Sequence, residues 1–392
     1  MPDLIISDIR YYPYRLPMRG SFTTAHEAMA TREGAIVEIL TRGGPSGLGE
    51  IAPLPAFGGG TLAAARASLS LLANHLRGKM PGPALALLYT LIALSSGKGP
   101  TAIPAATACG LESALLDLVG QLEGKSVGEL LLAQKHTAPL SIDPPVRTAQ
   151  NGVRELVPVN AVIGATDIQD AQKAAQEALL AGFKCVKLKM GRQGIQEQID
   201  RVAAVREALG PTAHLRLDAN EGWDFEQASA ILSRCEPFSI QYVEQPLPAA
   251  ALADMRRLRG ATSIPLAADE AVSNLESVHQ VLAAGAADIL IVKPQLAGGL
   301  RAGRRIIQEA LQQGLQCVVT SMLEAGVGVA GALHLAAASS EVTLECGLAT
   351  LPLLEDDLLL DALPIQDGWM TVPAGPGLGV SLDRVALEKY KS

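Results

Sequence analysis

Two lysines stand on alternate positions of an otherwise apolar run, "CVKLKMG" (185–191), and acidic residues end each of the next three such runs. "RLDAN" ends on Asp218 and Asn220, "YVEQP" carries Glu244, and "AADE" ends on Asp269 and Glu270. A third lysine, Lys293, ends the run "DILIVKP". Residues two apart on a strand share a face, so Lys187 and Lys189 point the same way. An interior ammonium without a partner costs several kcal/mol, so the lysines require anionic neighbours. The steps from Lys189 to Asp218, Glu244, Asp269 and Lys293 are 29, 26, 25 and 24 residues. Each step is the length of one strand–helix unit, which puts these residues at a common height on successive strand ends.

Three carboxylates without His or Cys beside them form an all-oxygen cage suited to Mg²⁺ rather than Zn²⁺. Asp218, Glu244 and Asp269 are its candidate ligands. Taken singly, each acid fits equally well as a helix cap, and each lysine as a solvated strand end. Those readings leave unexplained why three acids and three lysines recur in register. A neighbouring ammonium and a divalent cation both disfavour a protonated Lys189, which makes it a candidate general base with Lys293 facing it. The chemistry is removal of a proton from the carbon beside a carboxylate, with the developing charge held by the metal.

The elements that must position these residues follow a strand–helix alternation. Strand candidates start near 156, 185, 214, 240, 264, 288, 316 and 343, with amphipathic helical patterns between them. Eight such units close most naturally into a parallel barrel with its site at the C-terminal strand ends. Only seven helices fit between eight strands, so the helical segment 105–124 is expected to pack as the eighth. Residues 1–104 follow another pattern: antiparallel strands, then helices around 61–78 and 82–96. The expected fold is α/β, a (β/α)7β TIM-like barrel (105–350) with an α+β capping domain (1–104) that the C-terminal segment (351–392) rejoins. The loops "GSFTTAHEA" (20–28) and "PLPAFGGG" (53–60) are lid candidates. His26, Asn220 and Ser321 are candidate substrate contacts, whereas Glu324 reads as an ordinary loop polar residue.

The composition narrows the partners. The 392 residues carry a formal net charge of -8 without a basic run, which argues against nucleic acid and anionic membranes and for a small-molecule substrate. The five cysteines form no CxxC pair and read as buried thiols of a cytoplasmic protein. "MPDLIISDIR" is no signal peptide, and "ALALLYTLIAL" (84–94) is too short to span a bilayer.

The order "KLK", "DAN", "VEQP", "ADE" and "VKP…GG" resembles the enolase superfamily, specifically its muconate-lactonizing subgroup, over nearly the whole chain. That superfamily serves as an example of a Lys or His base working with one or two Mg²⁺ ions. The resemblance implies metal ligation by Asp218, Glu244 and Asp269, with Mn²⁺ as a substitute for Mg²⁺. It also implies a base role for Lys189, an electrostatic partner in Lys187, and Lys293 as the lysine of the opposite face. "TAHEA", "GEIAPLPAFGG" and "GLATLPLLEDDL" (347–358) are most similar to the o-succinylbenzoate synthases of menaquinone and phylloquinone biosynthesis. The implied reaction is a syn-type dehydration of a succinyl-hydroxycyclohexadiene carboxylate, with Lys293 lying over the ring. N-succinylamino acid racemases and muconate cycloisomerases share the same site and stay open as alternatives, and an inactive barrel serving as a binding protein is the rival of another class. A dipeptide epimerase is less similar, because "TLECGLA" (343–349) lacks the DxD that would hold a substrate ammonium.

Overall fold

The computed structural model describes residues 4–23, 28–57, 59–95, 102–133, 152–191 and 193–392. Its N-terminal part is an antiparallel sheet of β1 (Ile6–Thr23), β2 (Ala28–Thr41) and β3 (Ser46–Ile51) in the order β1-β2-β3. Helices α1 (Leu62–Leu76), α2 (Pro81–Leu94), α3 (Ala105–Glu123) and α4 (Val127–Ala133) follow.

The main sheet is parallel and has seven strands. They are β5 (Ala161–Ile163), which follows the short β4 (Leu156–Pro158), then β6 (Cys185–Lys189), β7 (His214–Asp218), β8 (Ile240–Glu244), β9 (Leu266–Ala268), β10 (Ile289–Val292) and β11 (Gln316–Val319). The connecting helices are α5 (Ile168–Leu180), α6 (Ile195–Leu209), α7 (Phe225–Cys235), α8 (Leu252–Arg259), α9 (Leu275–Ala284), α10 (Pro294–Ala297) and α11 (Leu300–Gln312), with α12 (Gly326–Ala338) after β11. Local chemistry fixes several starts. Asp167 caps α5 through the amides of Gln169 and Asp170, and Asp224 with Gln227 forms a capping box on α7. Each strand turns alternate residues to opposite faces. Val186, Leu188, Leu215 and Leu217 meet the helices, while Tyr242, Ala267, Ile289, Ile291 and Val318 pack together inside the ring.

Three expectations need correction. The strand expected over 343–349 does not form; this stretch closes the ring through single bridges, Val159 with Cys346 and Thr320 with Gly347. Backbone bonds join Cys346 and Gly347 to the strands on either side, and beside them Arg216 inside the ring donates to the Glu345 carbonyl at 2.6 Å and to its carboxylate at 2.7 Å, so a side chain holds that residue where a longer ladder would run. The first strand candidate splits in two, with β5 staying in the parallel sheet. β4 pairs antiparallel with β13 (Trp369–Thr371), which in turn pairs with β12 (Ile365–Gln366). Lastly, α3 is not an eighth outer helix. It packs on β3, where Gly47 and Gly49 let the helix backbone approach; a Cβ at Gly49 would stand 2.0 Å from the Gly110 carbonyl oxygen. The chain's end meets the N-terminal sheet, since Arg15 donates its amide to the Tyr390 carbonyl next to helix α13 (Arg384–Lys389).

Candidate active site

Parallel pairing sets Lys189 beside Asp218 and, past an irregularity between Leu215 and Arg216, Asp218 beside Glu244. Asp269 comes two residues beyond Ala267, the register partner of Glu244, as the stagger of tilted barrel strands requires. Lys293 follows β10 directly. The side chains of Lys187, Asp218, Glu244, Asp269 and Lys293 are all buried.

The lysines find the partners their burial demanded. Lys187 Nζ lies 3.0 Å from both Asp218 Oδ2 and Glu244 Oε1. Lys189 Nζ donates to Asp218 Oδ2 at 2.6 Å and to Asn220 Oδ1 at 2.8 Å. Lys293 Nζ donates to Asp269 Oδ2 at 2.6 Å and sits 5.3 Å from the Phe57 ring centroid. Asn220 also donates to Glu270 Oε1 at 3.0 Å. Asn220 and Gln245, each just past a strand end, hold left-handed backbone with φ of 42° and 36°. Strain of this kind persists where the surroundings over-determine it, and here the turns aim polar side chains at the ring mouth. Gln245 Oε1 accepts the Asp269 amide at 2.9 Å and so fixes the turn that carries that acid.

The charges are unequal. Four carboxylates, those of Asp218, Glu244, Asp269 and Glu270, share the ring mouth with three ammonium groups. Burial opposes the charge of Lys187, but Asp218 and Glu244 outweigh it and hold its pKa well above the usual lysine value. Burial likewise opposes ionisation of Asp218, and Lys187 and Lys189 more than reverse this. Burial and then the charge of Asp218 push Glu244 up to about 8, and burial raises Asp269 and Glu270 despite the nearby Lys293. Asp269 Oδ1 and Glu270 Oε2 are buried without a hydrogen-bond partner.

Those orphaned oxygens, and a net excess of carboxylate over ammonium, fit an oxygen-liganded divalent cation. With the ammonium groups lying among the acids, no set of three or more His, Cys, Asp or Glu side chains among the described residues converges into a ready-made metal cage.

Beyond the charged floor the cavity walls are apolar or hydroxylic: Met29, Leu54, Phe57, Met322, Leu323 and Leu353, with Thr320, Ser321 and Thr350. Asn220 and Ser321 thus line the cavity, and Ser321 Oγ and Thr350 Oγ1 are 2.7 Å apart. His26 lies outside the described residues. Glu324 is no ordinary loop residue: it is 2% exposed and accepts the Met322 amide at 2.7 Å. Leu54 and Phe57 fall in the 53–60 loop expected as a lid. Sequence reasoning passed over Arg32, Met29, Thr350 and Leu353 as individual contacts, since single polar or apolar residues carry no periodic signal. All five cysteines are buried and free, and no helix among the described residues is long and apolar enough to cross a membrane.

Residues 170–386 match the "Enolase C-terminal domain-like" family model, and residues 6–83 match the model of the MenC N-terminal domain. The chain belongs to the enolase superfamily. Its relatives include lyases and isomerases, and the chain is an enzyme of that superfamily. An o-succinylbenzoate synthase of Thermobifida fusca is 39% identical over 222 residues, 56% of this chain and 68% of that protein. The crystal structure of a muconate lactonizing enzyme from Pseudomonas fluorescens, complexed with muconolactone, superposes with a TM-score of 0.86 at 26% identity over 99% of both chains. A dipeptide epimerase from Enterococcus faecalis, complexed with Mg and the dipeptide L-Leu-L-Tyr, gives a TM-score of 0.84 at 26% identity over 96% of this chain and 99% of that one.

Proposed function

We propose that this superfamily member is an o-succinylbenzoate synthase, a hydro-lyase that removes water from a succinyl-hydroxycyclohexadiene carboxylate and thereby serves menaquinone or phylloquinone biosynthesis. The observation that carries this is the division of the cavity. Lysines and acids occupy its floor, while the remaining walls among the described residues hold no carboxylate to receive a substrate ammonium. Such walls suit an uncharged ring, and the matches to the MenC N-terminal model and to the Thermobifida enzyme point the same way.

Asp218, Glu244 and Asp269 would hold Mg²⁺ or Mn²⁺, which would offset the negative charge that develops on the substrate carboxylate. The Lys189 amine takes the proton from the carbon beside that carboxylate. The C–H electron pair then expels the hydroxyl from the neighbouring carbon on the same face, and the Lys189 ammonium returns the proton, so that water leaves and the ring becomes aromatic. Lys187, bridging Asp218 and Glu244, keeps positive charge beside the base. Lys293, anchored by Asp269, stays protonated and faces the ring from the other side.

Because Lys189 and Lys293 come from well-separated strands of the ring, a two-base racemisation of N-succinyl amino acids is the second reading. Incubation with both substrate types in deuterated water separates the two. Fast dehydration with slow deuterium uptake at the amino-acid α-carbon is expected; fast racemisation with poor dehydration overturns the assignment. If Asp218→Asn and Lys189→Ala both leave turnover unchanged, the site itself is wrong.

A further inference from the structure

Arg32, on β2, is only 2% exposed, and its guanidinium is bonded to backbone carbonyls. Its Nε donates to the carbonyls of Met322 (3.3 Å) and Leu323 (3.2 Å). Nη1 donates to the carbonyls of Pro53 (3.0 Å) and Glu33, and Nη2 to that of Ala52 at 2.5 Å. The acceptors outside its own strand lie on two irregular segments, one following β3 and one following β11. These segments build the apolar side of the cavity: the first carries Leu54 and Phe57, the second Met322 and Leu323.

Leu54, Met322 and Leu296 pack as one apolar cluster against Met29 and Phe57, and it is Phe57 whose ring Lys293 approaches. Neighbouring ties hold other atoms. Gln295 accepts the Ala52 amide and donates to the Glu50 carbonyl, while Glu50 accepts the amides of Ala325 and Gly328. These join β3 to α10 and to the start of α12. Arg32 joins the two wall segments to each other. A planar guanidinium with five fixed donors can bridge two carbonyl pairs in this way, and a lysine ammonium with three donors cannot. Both segments put side chains into the cavity lining, so a shift of either changes what fits.

We propose that Arg32 is a positioning residue that sets the clearance of the apolar wall and so selects the uncharged part of the carboxylate substrate. This rests on the cavity being the substrate site, as under the proposed function, but not on dehydration being the reaction. In Arg32→Lys, KM for the best substrate should rise roughly tenfold or more, in line with the cost of a misplacement remote from the chemistry, while the pH profile of kcat is unchanged. A brace that matters only for folding would lower Tm and Vmax and leave KM alone, and that result overturns the proposal.

Native-state hydrogen exchange, compared between the wild type and Arg32→Lys, gives a test that needs no substrate. In the wild type the Phe57 amide should open together with those of Met322 and Leu323, at one free energy and with one denaturant dependence, and in the variant the two segments should open separately. Independent opening in the wild type, or unchanged joint opening in the variant, would refute the tie. If no carboxylate substrate is turned over, the proposed function fails while the exchange result still decides the role of Arg32.

Discussion

Removing one carboxylate of the proposed metal site should weaken the dependence of stability on Mg²⁺. In the metal-free protein four carboxylates face three ammonium groups, and Asp269 Oδ1 and Glu270 Oε2 are buried without partners. A cation that satisfies these oxygens binds the folded chain and not the unfolded one. At a free concentration one hundred times its dissociation constant, it stabilises by about 2.7 kcal/mol. The unfolding entropy of a chain of 392 residues, at about 2.1 cal/mol/K per residue, is on the order of 0.8 kcal/mol/K. The expected rise in Tm is therefore about 3 °C. Asp269→Asn removes one proposed ligand and also the carboxylate that neutralises Lys293, so its metal-free Tm should fall. The informative quantity is the Mg²⁺-induced shift within each protein, read by circular dichroism with and without a chelator. The wild type should shift and the variant should shift by less than about 1 °C, since loss of a ligand weakens affinity. An equal shift in both proteins, or none in the wild type at Mg²⁺ levels that saturate activity, would refute the cage.

Lys189→Ala should lower kcat by about 10²–10⁴-fold in steady-state assays, the range for a positioned acid–base group, and its metal-free Tm should fall, because buried Asp218 loses one of its two ammonium partners. Lys293→Met keeps the chain length but loses the charge beside Phe57; dehydration should slow, whereas substrate-independent folding, read by circular dichroism, should persist. Gly49→Ala forces a methyl against the Gly110 carbonyl and should cost roughly 1–3 kcal/mol in urea denaturation. His334 is buried, pairs through Nε2 with the Leu378 carbonyl, and is pushed by burial down to about 4. Because its folded-state pKa lies below its unfolded one, the unfolded chain binds the extra proton, and stability should decline as pH falls from about 6.5 to 4. Denaturant melts across that window should show His334→Gln losing less stability than the wild type.

The charged floor of the cavity was legible in the chain alone. Alternation of period two sends Lys187 and Lys189, and Arg216 and Asp218, to the inner face, and one-unit spacing then brings them to one height. Both are local properties of the chain. How the ring closes is settled by packing: 343–349 bridges the strands on either side through Cys346 and Gly347, and Arg216, more than a hundred residues earlier, meets Glu345 beside those bridges. The same holds for α3, whose helical pattern is plain in the sequence but whose partner depends on the two glycines of β3. It holds equally for Arg32, a lone cation in a strand until folding surrounds it with carbonyls from two distant segments. Periodicity reports which face a residue occupies. Which distant backbone group meets it there is settled only when the elements pack.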